Sequence, residues 1–148
     1  MAKRIIGSSR AFSLIELMVV IAIIGLLSAL AIPKFRIFQA KARQSEAKSN
    51  LSYIYALEES YFGDQDKYAA LQNQGKDFGC GANELGFVLN PCKARYNYSV
   101  EANGTTFTAK ADSGQNNAIM PGCDKADVWT INEQKQLVAV SDSVTLCQ

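Results

Sequence analysis

Apolar side chains fill the stretch FSLIELMVVIAIIGLLSALAI, Phe12 to Ile32, interrupted only by Ser13, Glu16, Gly25 and Ser28. As a helix these residues would span about 31 Å, close to the hydrocarbon thickness of a bilayer. Beyond Pro33 the pattern changes. Ala47, Leu51, Ile54, Leu57 and Tyr61 recur at steps of four, three, three and four, one face of an amphipathic helix. Gly63, in the turn-like stretch FGDQDKY, is the expected stop. The pattern therefore predicts one helix from Phe12 to Phe62, far longer than the globular mean of about 11–12 residues.

Residues 64 to 86 carry scattered glycines, Gly75, Gly79, Gly81 and Gly86, and predict a draped loop with a short helical turn near Tyr68 to Leu71. Strands follow at Tyr96 to Ala102, Thr105 to Ala111, Val128 to Asn132 and Leu137 to Val140. In the first, Tyr96, Tyr98 and Val100 alternate with Asn97, Ser99 and Glu101, and Asn103-Gly104 is a strong hairpin signal after it. The last two strands form a second hairpin with Glu133 to Gln136 as its loop. Four short strands packed on the amphipathic helix make an α+β fold, with a small antiparallel sheet as a head on a long N-terminal helix.

Composition narrows the chemistry. At 148 residues and 48% hydrophobic content, one compact domain plus a membrane segment is expected. The net charge of +1 argues against a nucleic-acid field or an acidic tail. There is no histidine, which removes the commonest general base and the usual nucleophile arrangements, so no catalytic residues and no cofactor are expected. The C-terminal half shows no dense Asp/Glu cluster of calcium-ligand spacing, and no metal site is expected. The four cysteines, Cys80, Cys92, Cys123 and Cys147, lack CxxC spacing and read as two disulfides in an oxidising compartment. Three pairings are possible; the preferred one closes two local loops, Cys80–Cys92 and Cys123–Cys147.

Lys3, Arg4 and Arg10 precede the apolar run and hold that end in the cytoplasm. A permanent anchor would explain the length of the run but leaves Glu16 without a role. A cleaved secretory signal is the second reading, from the A-x-A pattern Ala29-Leu30-Ala31. Against it stand the length of the run, the intruding Glu16 and the helical pattern that resumes after Pro33. The third reading rests on AFSLIELMVVIAIIGLLSALAIPKF, which resembles the N-terminus of type IV pilins and pseudopilins: a short basic leader, a small residue, then Phe-x-Leu-Ile-Glu and an apolar helix. The resemblance is tight from Ala11 to Phe35 and architectural thereafter.

That resemblance implies cleavage between Ala11 and Phe12 by a prepilin peptidase, which also N-methylates Phe12. The family usually has glycine where Ala11 stands. It implies four parts: a leader, 1–11; a transmembrane and assembly helix, 12–33; an amphipathic helix, 34–62; and a β-rich head with a C-terminal disulfide loop, 63–148. Glu16 would meet the amine of Phe12, its own or a neighbour's, as apolar helices stack into a filament core. The helix would lose helicity between Gly25 and Pro33 on packing. Cys123–Cys147 would form the C-terminal loop. The implied partners are many copies of the chain, the peptidase, an inner-membrane assembly platform with motor ATPases, and an outer-membrane secretin. The subunit would sit in the inner membrane before assembly and in a surface filament afterwards.

Lys34, Arg36, Lys41, Arg43 and Lys48 give the helix after Pro33 a basic bias, with Glu46 the only acid among them. This fits contact with acidic neighbours or lipid headgroups, or equally a solvated face. Phe35, Phe38, Tyr53, Tyr55, Tyr61 and Phe62 are expected to be core packing rather than a conducting path. The leading function is the major pilin of a type IV pilus, serving motility, adhesion or DNA uptake. A pseudopilin of a type II secretion system, a minor pilin and a monomeric membrane-anchored binding module are the alternatives. An anchored enzyme is disfavoured.

Overall fold

The computed structural model describes residues 12–75, 81–89, 94–114, 119–120 and 122–147. Helix α1 runs Leu14–Gln65 and is followed by β1 Leu71–Gly75, β2 Asn97–Ala102, β3 Phe107–Asp112, β4 Val128–Asn132, β5 Leu137–Ser141 and the short α2 Ser143–Leu146. The strands form one antiparallel sheet in sequence order. The chain divides into two compact units, Met1–Phe35 and Arg36–Gln148.

Within the second unit, α1 packs on the sheet through Ala40, Gln44, Ala47, Leu51, Ile54 and Glu58, all buried. Steps of four and three keep these residues on one face. Opposite them the inward positions of β2 and β3 alternate as the pattern requires: Tyr98, Val100, Phe107, Ala109 and Ala111 are buried. The expected stripe holds at Ala47, Leu51 and Ile54, but the next fully buried position is Glu58, while Leu57 and Tyr61 are only partly buried against the core.

Three expectations change. First, α1 ends at Gln65 rather than at Gly63. Asp66 adopts the left-handed conformation (φ 52°), and its N–H donates to the Phe62 carbonyl, a C-terminal cap made by aspartate. Second, no helical turn forms at Tyr68 to Leu71. The N–H of Tyr68 donates to the Gly104 carbonyl and that of Ala69 to the Glu58 carboxyl, and the chain continues extended into β1. Strand β1 lies antiparallel to β2, with an irregularity between Leu71 and Gln74, and makes the sheet five-stranded instead of four. Gly75 allows this pairing: its φ is +118°, and a Cβ there would strike the Tyr96 carbonyl. Third, at the first hairpin β2 ends at Ala102 as expected but β3 begins at Phe107 rather than Thr105, so Asn103 to Thr106 form the connection, with Asn103 N–H donating to the Thr106 carbonyl at 2.9 Å.

Asp127, fully buried just before β4, organises the rest of the head. Its Oδ1 accepts from Gln44 Nε2 at 2.8 Å, Ser143 N at 2.9 Å and Ser143 Oγ at 3.1 Å. Its Oδ2 accepts from Tyr96 Oη at 2.6 Å and Trp129 Nε1 at 2.7 Å. The Asp127 backbone is closed by buried Ser113, which donates its N–H to the Asp127 carbonyl and accepts the Asp127 N–H on Oγ. Burial, then the hydrogen bond to Asp127, drives the Tyr96 hydroxyl far above the usual phenol range, so it stays a donor.

The Gln44 amide also donates to Asp142 Oδ1 at 2.7 Å, and Asp142 caps α2 by accepting from Val144 N and Thr145 N. Burial raises the Asp142 carboxyl, but these bonds outweigh it and hold the group below the usual carboxylate range. Cys123 and Cys147 are disulfide-bonded with Cα atoms 5.7 Å apart, enclosing β4, β5 and α2. Such a loop contributes roughly 2–4 kcal/mol. Cys80 and Cys92 lie outside the described residues. Strand β5 is a sheet edge, with Leu137, Val138 and Val140 exposed.

Replacing Asp127 by Asn is expected to strand at least two of its five donors, because an amide nitrogen cannot accept. Each buried orphan costs about 1–3 kcal/mol. The urea midpoint of the full chain in detergent should fall by the equivalent of about 2 kcal/mol or more; an unchanged midpoint would remove Asp127 from its organising role.

Candidate functional site

The N-terminal half of α1 is long and apolar enough to cross a membrane. From Phe12 to Arg36 every residue is exposed except half-buried Ser28. Soluble monomers rarely expose a contiguous apolar surface of this extent, and one that does is built to meet lipid or protein. In the single chain α1 runs through Gly25 and Pro33 without a break. Pro33 has no N–H to give the Ala29 carbonyl, and Gly25 lowers helix propensity, so the interval between them is the weakest part of this segment.

The helix starts with a reciprocal cap. Ser13 N–H donates to Glu16 Oε2 at 2.9 Å, and Glu16 N–H donates to Ser13 Oγ at 3.2 Å. This is the capping box of the pattern S-x-x-E, which satisfies two N–H groups at the helix start. A carboxylate in the first turn is further favoured by the helix dipole. Glu16 Oε1 has no hydrogen bond among the described residues. The S-x-x-E spacing carries this signal in the sequence. Ala11 lies outside the described residues; Phe12 lies just before the cap and is exposed.

The basic residues after Pro33 separate into two groups. Arg43 donates to the Ile119 carbonyl at 2.8 Å, and Lys48 sits 3.8 Å from the centre of the Trp129 ring. Both serve the fold. Lys34, Arg36 and Lys41 are exposed. The aromatic residues also divide. Tyr55 and Tyr61 pack against the core and Phe62 stacks on Tyr68, whereas Phe35, Phe38 and Tyr53 are exposed, contrary to a purely core role. The spacing places these three off the buried stripe.

An open groove lies between Gln39, Ala42, Arg43, Glu46 and Arg95. Arg95 is paired with Glu46 at 2.7 Å and Arg43 is held by Ile119, so the groove offers no unoccupied charged group for chemistry. Among the described residues no group of three or more His, Cys, Asp or Glu could hold a metal.

The model of the prokaryotic N-terminal methylation motif matches residues 7–32. The type IV major pilin protein PilA of Myxococcus xanthus is 48% identical over 94 residues, 64% of this chain and 38% of that protein. The type IV major pilin protein PilE1 of Neisseria gonorrhoeae is 30% identical over 132 residues, 84% of this chain and 70% of the relative. The chain belongs to the type IV pilin family. A fimbrial protein of Pseudomonas aeruginosa is 42% identical to this pilin over 53 residues, 36% of the chain and 34% of that protein. The matched part of the pilin thus spans only a little over a third of the Myxococcus and Pseudomonas relatives. No solved structure matches it.

In the pilin, the cap at Glu16 and the charge it carries are separated by two substitutions. Ser13→Ala removes the cap and leaves the charge; it should cost about 1 kcal/mol of helix-end stability, seen as faster amide exchange at Ser13 to Leu17 in micelles. Glu16→Gln leaves a side chain able to close the box, and exchange there should stay near wild type. If Glu16→Gln frays the helix as much as Ser13→Ala, the charge itself carries the cap.

Proposed function

We propose that this pilin is the structural, non-catalytic subunit of a type IV pilus, polymerising through the apolar half of α1 and presenting its disulfide-closed head outward. The observation that carries the reading is the fully exposed apolar helix with one carboxylate in its first turn. Buried one by one against lipid, such helices form an anchor; buried against each other, they form a filament core.

Before assembly the subunit stands in the inner membrane with its N-terminus in the cytoplasm. A prepilin peptidase cuts between Ala11 and Phe12 and methylates the new amine of Phe12. That amine lies four residues before Glu16, so Glu16 is placed in sequence to register one subunit against another. A buried carboxylate needs such a partner, because breaking a buried pair costs about 3–5 kcal/mol. Packing then unwinds the interval from Gly25 to Pro33, the part of the helix least able to hold its own hydrogen bonds. The assembly platform, motor ATPases and outer-membrane secretin complete the route to the surface. The parts of the mature subunit are accordingly the assembly helix, 12–33, the amphipathic helix from 34 to the end of α1 at Gln65, and the head beyond it.

Electron microscopy of sheared surface material, with mass identification, tests the polymer reading: filaments containing this chain are expected, and its restriction to membrane fractions would overturn it. Intact mass should show a subunit beginning at methylated Phe12, whereas a subunit beginning at Ile32 would indicate a secretory signal. Glu16→Val subunits should be processed normally yet yield few filaments; filament yields equal to wild type would remove the assembly role.

A further inference from the structure

Glu58 is the one acidic residue of α1 that the fold buries completely, and the filament reading gives it no task. It occupies the buried stripe between Ile54 and the end of the helix, facing the segment that leads into β1. Its Oε2 accepts the Ala69 N–H at 3.0 Å, and its Oε1 is buried with no hydrogen-bond partner among the described residues. A buried carboxylate with one bond is costly when charged and far less so when protonated.

The surrounding groups do not relieve it. On α1 itself, Glu59 adds repulsion. From the connecting segment, the Tyr68 hydroxyl is already donated to Glu59 at 3.0 Å. In the β4–β5 turn, Lys135 lies over the ring of Tyr55 at 5.5 Å, and Glu133 is a further negative charge acting on Tyr68. No ion pair to Glu58 is formed among the described residues. Burial, opposed only by the Ala69 N–H, pushes the Glu58 carboxyl up to about 7.

We propose that Glu58 is a protonation-controlled latch: in its neutral form it holds the segment from Asp66 to Gly75 against α1, and on ionising it loosens that segment and the edge strand β1 that the segment carries. The proposal is independent of whether the chain forms filaments. The segment is held by the Ala69 N–H on Glu58, the Tyr68 N–H on Gly104, the Tyr68 hydroxyl on Glu59, the Tyr68 ring between Phe62 and Phe107, and the buried side chains of Ala69 and Leu71. Strand β1 pairs with β2 on one side only, at the sheet edge. Ionisation does not weaken the Ala69 bond, which favours the charged form; it places a charge on a buried carboxyl whose Oε1 has no partner among the described residues, and lifting the segment to admit water relieves that charge.

The direction follows from proton linkage. The folded chain binds the Glu58 proton more tightly than the unfolded chain, whose carboxyl has the ordinary value of 4.5. The stabilisation linked to that proton is complete below 4.5 and is lost as pH rises through about 7.

Hydrogen exchange of the full chain in detergent micelles, corrected for intrinsic rates, tests the latch. Between about pH 5.5 and about pH 8, protection over residues 67–75 should fall about tenfold or more relative to β3. In Glu58→Gln the same comparison should be flat with pH. No drop in the wild type, an equal drop in β3, or the same drop in Glu58→Gln would overturn the proposal. Should the variant not fold, the carboxyl carbon of Glu58 can be titrated by NMR in the wild type. A midpoint near neutrality supports the latch, and one in the ordinary carboxylate range overturns it.

Discussion

Asp127 takes hydrogen bonds from α1 through Gln44, from the residue before β2 through Tyr96, from β4 through Trp129 and from α2 through Ser143. A small head cannot fix several elements by apolar contact alone, since its core is shallow. A buried carboxylate surrounded by donors fixes them by direction as well as by area. The arrangement tolerates no partial occupancy: with all donors present the charge is satisfied, and with one absent a buried polar group is left over. Ser113 and Asp142 extend the same logic outward, closing the Asp127 backbone and tying α2 to Gln44. The sheet, the helix and the C-terminal turn thereby share one reference point.

Three carboxylates show how environment decides what a side chain does. Glu16 stands exposed at the start of α1, bonded to Ser13 in its own helix. Asp127 is buried and saturated. Glu58 is buried and half-satisfied, which makes it responsive rather than rigid. Helix α1 carries the first and the last of these on two very different stretches, one wholly exposed and apolar, the other striped by burial against the sheet.

Much of this was legible in the chain. The apolar run and the heptad-like steps of α1 are strong periodic signals, and β2 to β5 followed from alternation and the Asn103-Gly104 turn. What escaped had weak or absent local signals. Strand β1, LQNQG, is polar and does not alternate; it exists because β2 offers an edge and Gly75 can take a backbone conformation that lets the chain approach Tyr96. Asp66 ends the helix in place of Gly63 because it takes the left-handed conformation, which aspartate tolerates better than most residues. Glu58 lay beside a leucine of the expected stripe, and a one-residue rotation of the helix put the acid inside. Nothing in the pattern around Asp127 announces a centre, since its donors come from residues up to 83 positions away.

The Cys123–Cys147 bond has a mechanical side. Tension arriving at Cys147 passes straight to Cys123, 24 positions earlier in the chain, and bypasses the interval between them, so β4, β5 and α2 cannot be peeled from the sheet by a pull on that side. The load enters the head at a loop next to Asp127 instead, where it is spread over α1, β2 and β4 together. A fibre built from such heads would resist shear at the covalent loop and yield, if anywhere, along the less tethered edge at β1.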